Sequence, residues 1–151
     1  MALAVAEAHR ILRPSGLLLD LHPAGAPMWL EAWSLLQPAS SASAFDPAAY
    51  RRQRLGDLAL EDTAADFAAA TAALQAALQS GFQPGQTLPF EYRYFFDSLD
   101  ELSDYLDENE QLPLAGDDLL ERALHAVAQA TTPVKLVLIQ PVLAASLRKA
   151  A

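Results

Sequence analysis

An aspartate and a histidine at the end of an apolar segment are the side chains best placed for acid–base chemistry. Asp20 lies within the segment 17–21, whose sequence is LLLDL, and His22 follows it directly. A short apolar run after a turn is typical of a strand buried on both faces, and α/β sheets bind ligands beyond the C-terminal ends of such strands. A carboxylate and an imidazole there could serve as acid and base. A surface histidine with satisfied hydrogen bonds is the simpler interpretation.

A second group of candidate site residues lies in the segment 90–96, whose alternating aromatic side chains predict a strand. Tyr92, Arg93 and Tyr94 are candidates to line a substrate cleft, and ordinary strand packing is the simpler alternative. The basic side chains cluster in one segment only, at Arg51, Arg52 and Arg54. For this cluster, a solvated loop or a contact with the acidic stretch elsewhere in the chain is favoured over phosphate binding.

Sequence motifs for cofactors, metals and activated nucleophiles are missing. The six glycines, at positions 16, 25, 56, 81, 85 and 116, include no G-x-G spacing of the kind that dinucleotide-binding loops need. The three histidines occupy separate segments without H-E-x-x-H, no serine lies in G-x-S-x-G, and the chain has no cysteine. We therefore predict no catalytic residue, no cofactor-binding residue and no metal ligand.

Composition and charge narrow the classes of partner. The 151 residues are 52% hydrophobic and 19% charged, which is typical of a globular protein, here a single domain over residues 1–151. Ten Lys and Arg against nineteen Asp and Glu give a net charge of −9, which would repel nucleic acid and an anionic membrane surface. No run of 18 apolar residues occurs, and the first residues do not resemble a secretory signal, so the expected location is the cytoplasm.

Apolar spacing and capping residues predict helices over residues 2–12, 28–36, 63–79, 98–108 and 117–129. Thr63 is the expected cap of the 63–79 helix and Gly81 its stop, while the alanines of that helix would let a neighbour approach closely. This helix is expected to pack on the sheet through Phe67, Leu74 and Leu78. The expected buried face of the last helix consists of Leu120, Leu124, Val127 and Ala128.

The region 23–60 has the weakest pattern. The helix over 28–36 is predicted from the spacing of Trp29, Trp33 and Leu36. Asp46 before a proline indicates a helix start with Gly56 as its stop, but residues 50–60 fit a β-hairpin equally well. Near the C-terminus, residues 134–139 predict a strand that Pro141 interrupts and that resumes over 142–147.

Residues 7–21, with the sequence EAHRILRPSGLLLDL, carry a resemblance to a known family. They are similar to the E-x-x-R-[VIL]-L-[RK]-P-G-G-x-[LF] segment of class I S-adenosylmethionine-dependent methyltransferases. In that family the segment comprises the helix before the fifth strand, a proline-glycine turn and the fifth strand itself. Ser15 stands where the family has glycine. Residues 95–102 and the closing strand that ends at 147–149 also resemble the C-terminal part of such enzymes.

The resemblance implies the C-terminal half of this fold without its cofactor-binding half. Family members hold S-adenosylmethionine with a glycine-rich loop after the first strand, an acidic residue at the end of the second, and turns after the third and fourth. The 151 residues contain no counterpart of these parts. The implied fold class is α/β, a small mixed sheet flanked by helices that is part of a Rossmann-like methyltransferase fold. Its strands are expected at 17–21, 90–96 and 134–147, with the last antiparallel to the other two and between them.

Three functions from different classes agree with these observations. The first is a non-catalytic remnant of the methyltransferase fold that acts through self-association. The second is the substrate-side half of a split methyltransferase, completed by a separate polypeptide that carries the cofactor site. The third is a small unrelated α/β enzyme that uses Asp20 or His22 as acid or base. We expect no cofactor to bind to the isolated chain.

Without the strands that precede it in the family, the 17–21 strand has an unpaired edge and partly uncovered leucines. Burying a leucine fully is worth about 1.5–3 kcal/mol, and an apolar strand edge invites pairing with another chain. Either Trp29 and Trp33 fold back over this strand, or a second copy covers it. We expect a two-fold homodimer that uses the strand edge and the alanine-rich helix.

Overall fold

The computed structural model describes residues 2–36, 46–59, 64–110 and 112–150. Within them the chain is α/β, with a five-stranded antiparallel sheet and four helices. The helices are α1 (Ala2–Ile11), α2 (Ala64–Gln79), α3 (Leu99–Glu108) and α4 (Leu112–Gln129). The strands are β1 (Leu17–Pro23), β2 (Trp29–Leu35), β3 (Tyr50–Asp57), β4 (Phe82–Phe96) and β5 (Val134–Lys149).

The predicted α/β class is confirmed, whereas the sheet is antiparallel rather than mixed. β5 runs antiparallel to both β1 and β2, and β2 forms an antiparallel hairpin with β3. β5 also pairs with β4, so the last strand lies between β1 and β4, in the order expected from the sequence. None of the described helices is both long enough and apolar enough to cross a bilayer.

Contacts divide the chain into two compact units. Unit 1 comprises residues 1–26, 62–91 and 141–151, and it contains α1, β1, α2 and parts of β4 and β5. Unit 2 comprises residues 27–61 and 92–140, and it contains β2, β3, α3, α4 and the remaining parts of β4 and β5.

In unit 1, β1 pairs with the end of β5, from Leu17 opposite Arg148 to Pro23 opposite Val142. Leu18 packs with Phe82 and Leu147. The prediction that β1 is buried on both faces is wrong, since Leu17, Leu19 and Leu21 are 50%, 66% and 65% exposed. An antiparallel sheet commonly covers only one of its faces, so alternate residues of β1 remain in solvent.

The alanine-rich helix α2 buries its small residues, Ala70, Ala73 and Ala77, and α2 contacts α1. Of the three residues expected to pack, Leu74 is partly buried, whereas Phe67 and Leu78 are about 40% exposed. Alanine allows a neighbouring element to come close, and this close contact replaces packing by the larger side chains. Gly81 ends this region with φ 95°, the left-handed conformation expected after a helix. Thr63, the predicted cap, lies outside the described residues.

In unit 2, residues 29–35 form a strand, so the helix predicted over 28–36 is wrong. Trp29 and Trp33 are four residues apart, a spacing that places two side chains on one face of a helix and equally on one face of a strand. Residues 50–57 form the single strand β3, so the segment 50–60 is neither a helix nor a hairpin by itself. β3 is strand-like as the hairpin alternative requires, but its partner is β2, from Tyr50 opposite Leu35 to Asp57 opposite Trp29. Asp46 does cap a helical turn, with its Oδ1 2.9 Å from the Ala48 N–H, but the 3₁₀ turn ends after Pro47–Ala49.

Helix α3 begins as its sequence predicts. The hydroxyl of Ser98 accepts from the N–H of Glu101 at 3.1 Å, and the Glu101 carboxylate accepts from the N–H of Asp97 at 2.7 Å. This reciprocal arrangement satisfies N–H groups that have no partner within the helix. The helix then ends at Glu108, as expected.

Helix α4 is interrupted at Gly116, whose φ of 64° and ψ of 156° are not helical, and the predicted 117–129 helix follows that break. Its buried side consists of Ala115, Leu119 and Ala123. In the predicted face, Leu120 is partly buried, whereas Leu124, Val127 and Ala128 are exposed, so that prediction is largely wrong. Apolar residues lie along two sides of this helix, and their spacing in the sequence alone does not show which side is buried.

β5 is continuous through Pro141 and is not interrupted there. Its pairing with β2 ends at Ile139, and its pairing with β1 begins at Val142. Pro141 therefore lies where the partner of β5 changes from β2 to β1.

The close packing of α2 predicts that Ala77→Leu is destabilising, because the added carbons have no space beside Phe82 and Leu147. We expect the free energy of unfolding to fall by about 1–3 kcal/mol, measured by urea denaturation. Ala72→Leu, on the exposed side of the same helix, is the control and should change stability by no more than about 0.5 kcal/mol. Equal stability of the two variants would contradict this packing.

Candidate functional site

The two faces of β2 differ in chemistry. Leu30 and Ala32 point into the main hydrophobic core of unit 2, with α3 and α4 residues such as Leu102 and Leu119. Alternation along the strand places Trp29, Glu31 and Trp33 together on the opposite face. Unit 2 therefore holds an acidic side chain between two tryptophans.

The Glu31 carboxylate is buried and accepts four hydrogen bonds, its side chain being only 8% exposed. Oε1 accepts from Trp29 Nε1 at 2.8 Å and Oε2 from Trp33 Nε1 at 2.7 Å. The guanidinium of Arg52 donates to both oxygens, from Nε at 2.8 Å and from Nη2 at 3.1 Å. This two-pronged geometry is the strong form of an arginine–carboxylate pair.

Arginines also lie over both indole rings. Arg52 is 4.7 Å from the centroid of Trp33, and Arg54 is 4.7 Å from that of Trp29. Arg93 approaches Trp33 at 5.5 Å. Guanidinium groups at these distances are attracted by the negative face of the ring. We call this set the Glu31 cluster: Trp29, Glu31, Trp33, Arg52, Arg54 and Arg93.

The electrostatics of Glu31 keep it ionised. Burial raises its pKa, but the hydrogen bonds from Arg52, Trp29 and Trp33, together with the charge of Arg52, outweigh burial and hold the pKa below the ordinary value. A carboxylate in this state is a poor proton acceptor at neutral pH, and its acceptor positions are occupied. The Glu31 cluster therefore joins β2 to β3 and does not have the features of a catalytic base.

The basic segment divides between the two faces of β3. Arg52 and Arg54 belong to the Glu31 cluster, and Arg54 also pairs with Asp57. Arg51 lies at the alternate position, as does Gln53. The predicted solvated loop is wrong, since the segment is a strand. Arg52 and Arg54 do pair with acidic residues, but the partners are Glu31 and Asp57 rather than the predicted acidic stretch.

Asp20 and His22, the first pair of predicted site residues, contact each other in the structure. His22 Nδ1 lies 2.6 Å from Asp20 Oδ2, as expected for residues i and i+2 on one face of β1. Both side chains are partly buried, and the His22 ring lies 6.1 Å from the ring of Phe67. A carboxylate that orients an imidazole is the arrangement found in many general bases. The pair belongs to unit 1.

The other three predicted residues are in unit 2, on both faces of β4. The rings of Tyr92 and Tyr94 are 4.9 Å apart, and Tyr94 contacts Tyr105 at 5.1 Å. Arg93 points to the other face, toward Trp33. Burial, followed by interaction with Tyr94, raises the pKa of Tyr105 to about 12, so this phenol stays neutral at physiological pH. Tyr92 and Tyr94 therefore lie together on one face of β4, and Arg93 lies on the other.

Glu31 was missed as an important residue because residues 28–36 were interpreted as a helix. The signal was present in the alternation W-x-E-x-W, with an arginine-rich segment following it. An acidic residue between two tryptophans at strand spacing needs a donor, and indole N–H groups and arginine supply donors. The pattern becomes informative only after the segment is assigned as a strand.

The described part of the chain contains no group of three or more His, Cys, Asp and Glu side chains placed to hold a metal ion. No protein-family model matches the chain, and the comparisons with curated proteins and with solved structures find no match.

The Glu31 pKa predicts that unit 2 loses stability in acid. The folded state binds a proton at Glu31 less readily than the unfolded chain does, because the folded pKa is lower. The contribution of Glu31 is therefore complete above the ordinary pKa of 4.5 and is lost as the pH falls through the lower folded pKa. Urea denaturation monitored by tryptophan fluorescence between pH 7 and pH 3 measures this loss.

Glu31→Gln tests the assignment to this residue. Its amide group places N–H donors beside those of Arg52 and the indoles, so we expect about 2–4 kcal/mol lower stability at pH 7 and a weaker dependence on pH. Glu108→Gln removes an exposed carboxylate on α3 and should behave like the wild type. If both variants retain wild-type stability, the Glu31 cluster does not hold the hairpin.

Proposed function

We propose that these residues form the C-terminal half of a methyltransferase-like fold that has no catalytic activity of its own and acts through self-association. The observation that carries the proposal is the pairing of β5, which is antiparallel to β1 and lies between β1 and β4. This is the strand order that the resemblance implies for the end of such a fold.

The turn between α1 and β1 gives separate support. Ser15, which replaces a family glycine, has φ 61°, a left-handed conformation that glycine adopts most easily. At the next position, a Cβ on Gly16 would lie 2.8 Å from the carbonyl oxygen of Arg13. The turn therefore has the backbone geometry for which a Pro-Gly-Gly sequence is suited.

Self-association is assigned to β1. The order of the sheet places β1 at its end, and Leu17, Leu19 and Leu21 are exposed. Trp33 is buried within unit 2 with Val137 and Ile139, and Trp29 packs against the same cluster. The buried alanines of α2 pack within unit 1, so we assign the contact with a second copy to β1 and not to α2.

The alternative is the substrate-side half of a split methyltransferase, in which a separate polypeptide pairs with β1 and brings the cofactor site. A third candidate, a small unrelated α/β enzyme, is favoured by one observation, the 2.6 Å contact between Asp20 and His22. The proposals differ in what they require of the isolated chain: self-association, a partner polypeptide, or catalysis with His22.

Under this proposal the isolated chain does not bind S-adenosylmethionine, because these residues include neither a glycine-rich loop nor an acidic ribose partner. We expect no shift of the melting temperature and no heat of binding at millimolar S-adenosylmethionine. Saturation at a hundredfold excess over the dissociation constant would instead stabilise the fold by about 2.7 kcal/mol. A complete methyltransferase in the same buffer is the positive control, and micromolar binding by this chain would overturn the proposal.

We further expect a homodimer at micromolar concentration that Leu19→Lys converts to a monomer, because a charge on a strand edge opposes pairing. Static light scattering measures the mass. Leu124→Lys replaces a leucine that is similarly exposed, but on α4, and should remain dimeric. A monomeric wild-type chain would reject self-association, and dissociation of both variants would reject the β1 edge as the interface.

A further inference from the structure

A cavity of about 390 Å³ lies within unit 2, on the face of the β2–β3 hairpin opposite to the Glu31 cluster. Its polar lining comes mainly from β3, with Arg51, Gln53 and Arg54, and from α4, with Arg122, His125 and Gln129. Ser34 of β2 and the segment after α4, with Thr131 and Thr132, complete the polar lining. Ala32, Leu55 and Val134 contribute apolar surface. Cavities of this size are typical of sites for small molecules.

The charge of this cavity is opposite to that of the protein. The chain has a net charge of −9, yet the lining includes Arg51, Arg54, Arg122 and His125 and, among the described residues, no Asp or Glu. Two neighbouring acidic residues of α4, Asp118 and Glu121, do not line it. An arginine-lined cavity in an acidic protein indicates selection for a negatively charged ligand.

Three arginines line the cavity, and one of them, Arg54, is paired with Asp57. Neither Arg51 nor Arg122 is in an ion pair within the part of the chain that the structure describes. Arg51 forms no ion pair there, in contrast to Arg52 and Arg54 on the other face of the same strand. Arg122 donates from Nε to the carbonyl oxygen of Asp118 at 3.1 Å, a bond to the backbone that orients the guanidinium without cancelling its charge. Both positive charges remain available to a ligand.

The fold holds these groups in place. Strand alternation brings Arg51 and Gln53 to one face of β3, and helical spacing brings Arg122, His125 and Gln129 to one side of α4. Gly56 allows α4 to lie close to β3, because a Cβ on residue 56 would lie 3.0 Å from Arg122 Nη2 and 3.1 Å from Leu119 Cδ1. The arginines of the cavity are therefore carried by a strand and a helix, and residues 130–132 between α4 and β5 complete its lining.

We propose that this cavity binds the phosphate group of a small phosphate monoester. Guanidinium groups match phosphate oxygens with paired N–H donors, and two of them balance a dianion better than a single carboxylate. The imidazole of His125 and the amides of Gln53 and Gln129 supply donors and acceptors for hydroxyl groups on the ligand. The negative charge of the whole chain disfavours a polyanion such as RNA, which would extend beyond the cavity.

This inference is independent of the proposed methyltransferase relationship. It depends on unit 2 alone and requires neither S-adenosylmethionine nor self-association. Failure of phosphate binding and failure of dimerisation would thus be separate results.

Isothermal titration calorimetry with three probes tests the site: ribose 5-phosphate, inorganic phosphate and ribose. We expect ribose 5-phosphate to bind more tightly than inorganic phosphate, ribose not to bind, and affinity to fall as salt concentration rises, since salt screens the charges. Stronger binding of inorganic phosphate would reject the monoester. Absence of binding by both phosphate probes would overturn the proposal.

Substitutions of Arg51 and Arg122 test whether the phosphate binds in this cavity. Arg51→Gln and Arg122→Gln should each weaken binding of ribose 5-phosphate at least tenfold, while Arg51→Lys should retain part of the affinity. Arg13→Gln, which removes an exposed arginine in unit 1, should bind as the wild type does. Circular dichroism and the melting temperature without ligand establish that each variant is folded. Folded Arg51 and Arg122 variants with wild-type affinity would place the phosphate elsewhere.

Discussion

The buried charge of Glu31 is the constraint on which the architecture of unit 2 depends. A carboxylate with so little exposure is tolerated only where donors surround it, and Trp29, Trp33 and Arg52 provide them. Sliding β2 by one residue would turn Glu31 into the apolar core and would turn Leu30 and Ala32 out of it. The pairing register of β2 with β3 is therefore set by one acidic side chain as well as by apolar burial.

The same register determines what the opposite face of the hairpin presents. With Arg52 committed to Glu31 and Arg54 to Trp29 and Asp57, the alternate residues Arg51 and Gln53 must face the other side. There they meet α4 rather than an acidic partner. One basic segment thus supplies both the ion pair that holds the hairpin and the cationic lining of the cavity. Strand alternation separates Arg51 from Arg52, whereas Arg54 belongs to the Glu31 cluster and also lines the cavity.

Local signals in the sequence predicted much of the fold but little of the site. Capping by Asp46 and Ser98 and termination by Gly81 depend on backbone chemistry within a few residues, and these were confirmed. The helix over 28–36 was wrong because a spacing of four residues fits both a helix and a strand. The cavity was not predictable, because Arg51 and Arg122 are 71 positions apart in the sequence and only the folded hairpin and α4 bring them to one place.

The edges of the sheet differ in how they resist pairing with another chain. β3, at one end of the strand order, carries Arg51, Arg52 and Arg54, and charged side chains discourage further pairing. β4 pairs only with β5 among the described strands and contains Pro84 and Pro89, which lack the N–H that an added strand would need. The exposed leucines of β1 lie within residues 17–21, which contain no proline and a single charged side chain, Asp20. Because protected edges are the norm in monomeric proteins, an unprotected apolar edge is the expected position for a second chain.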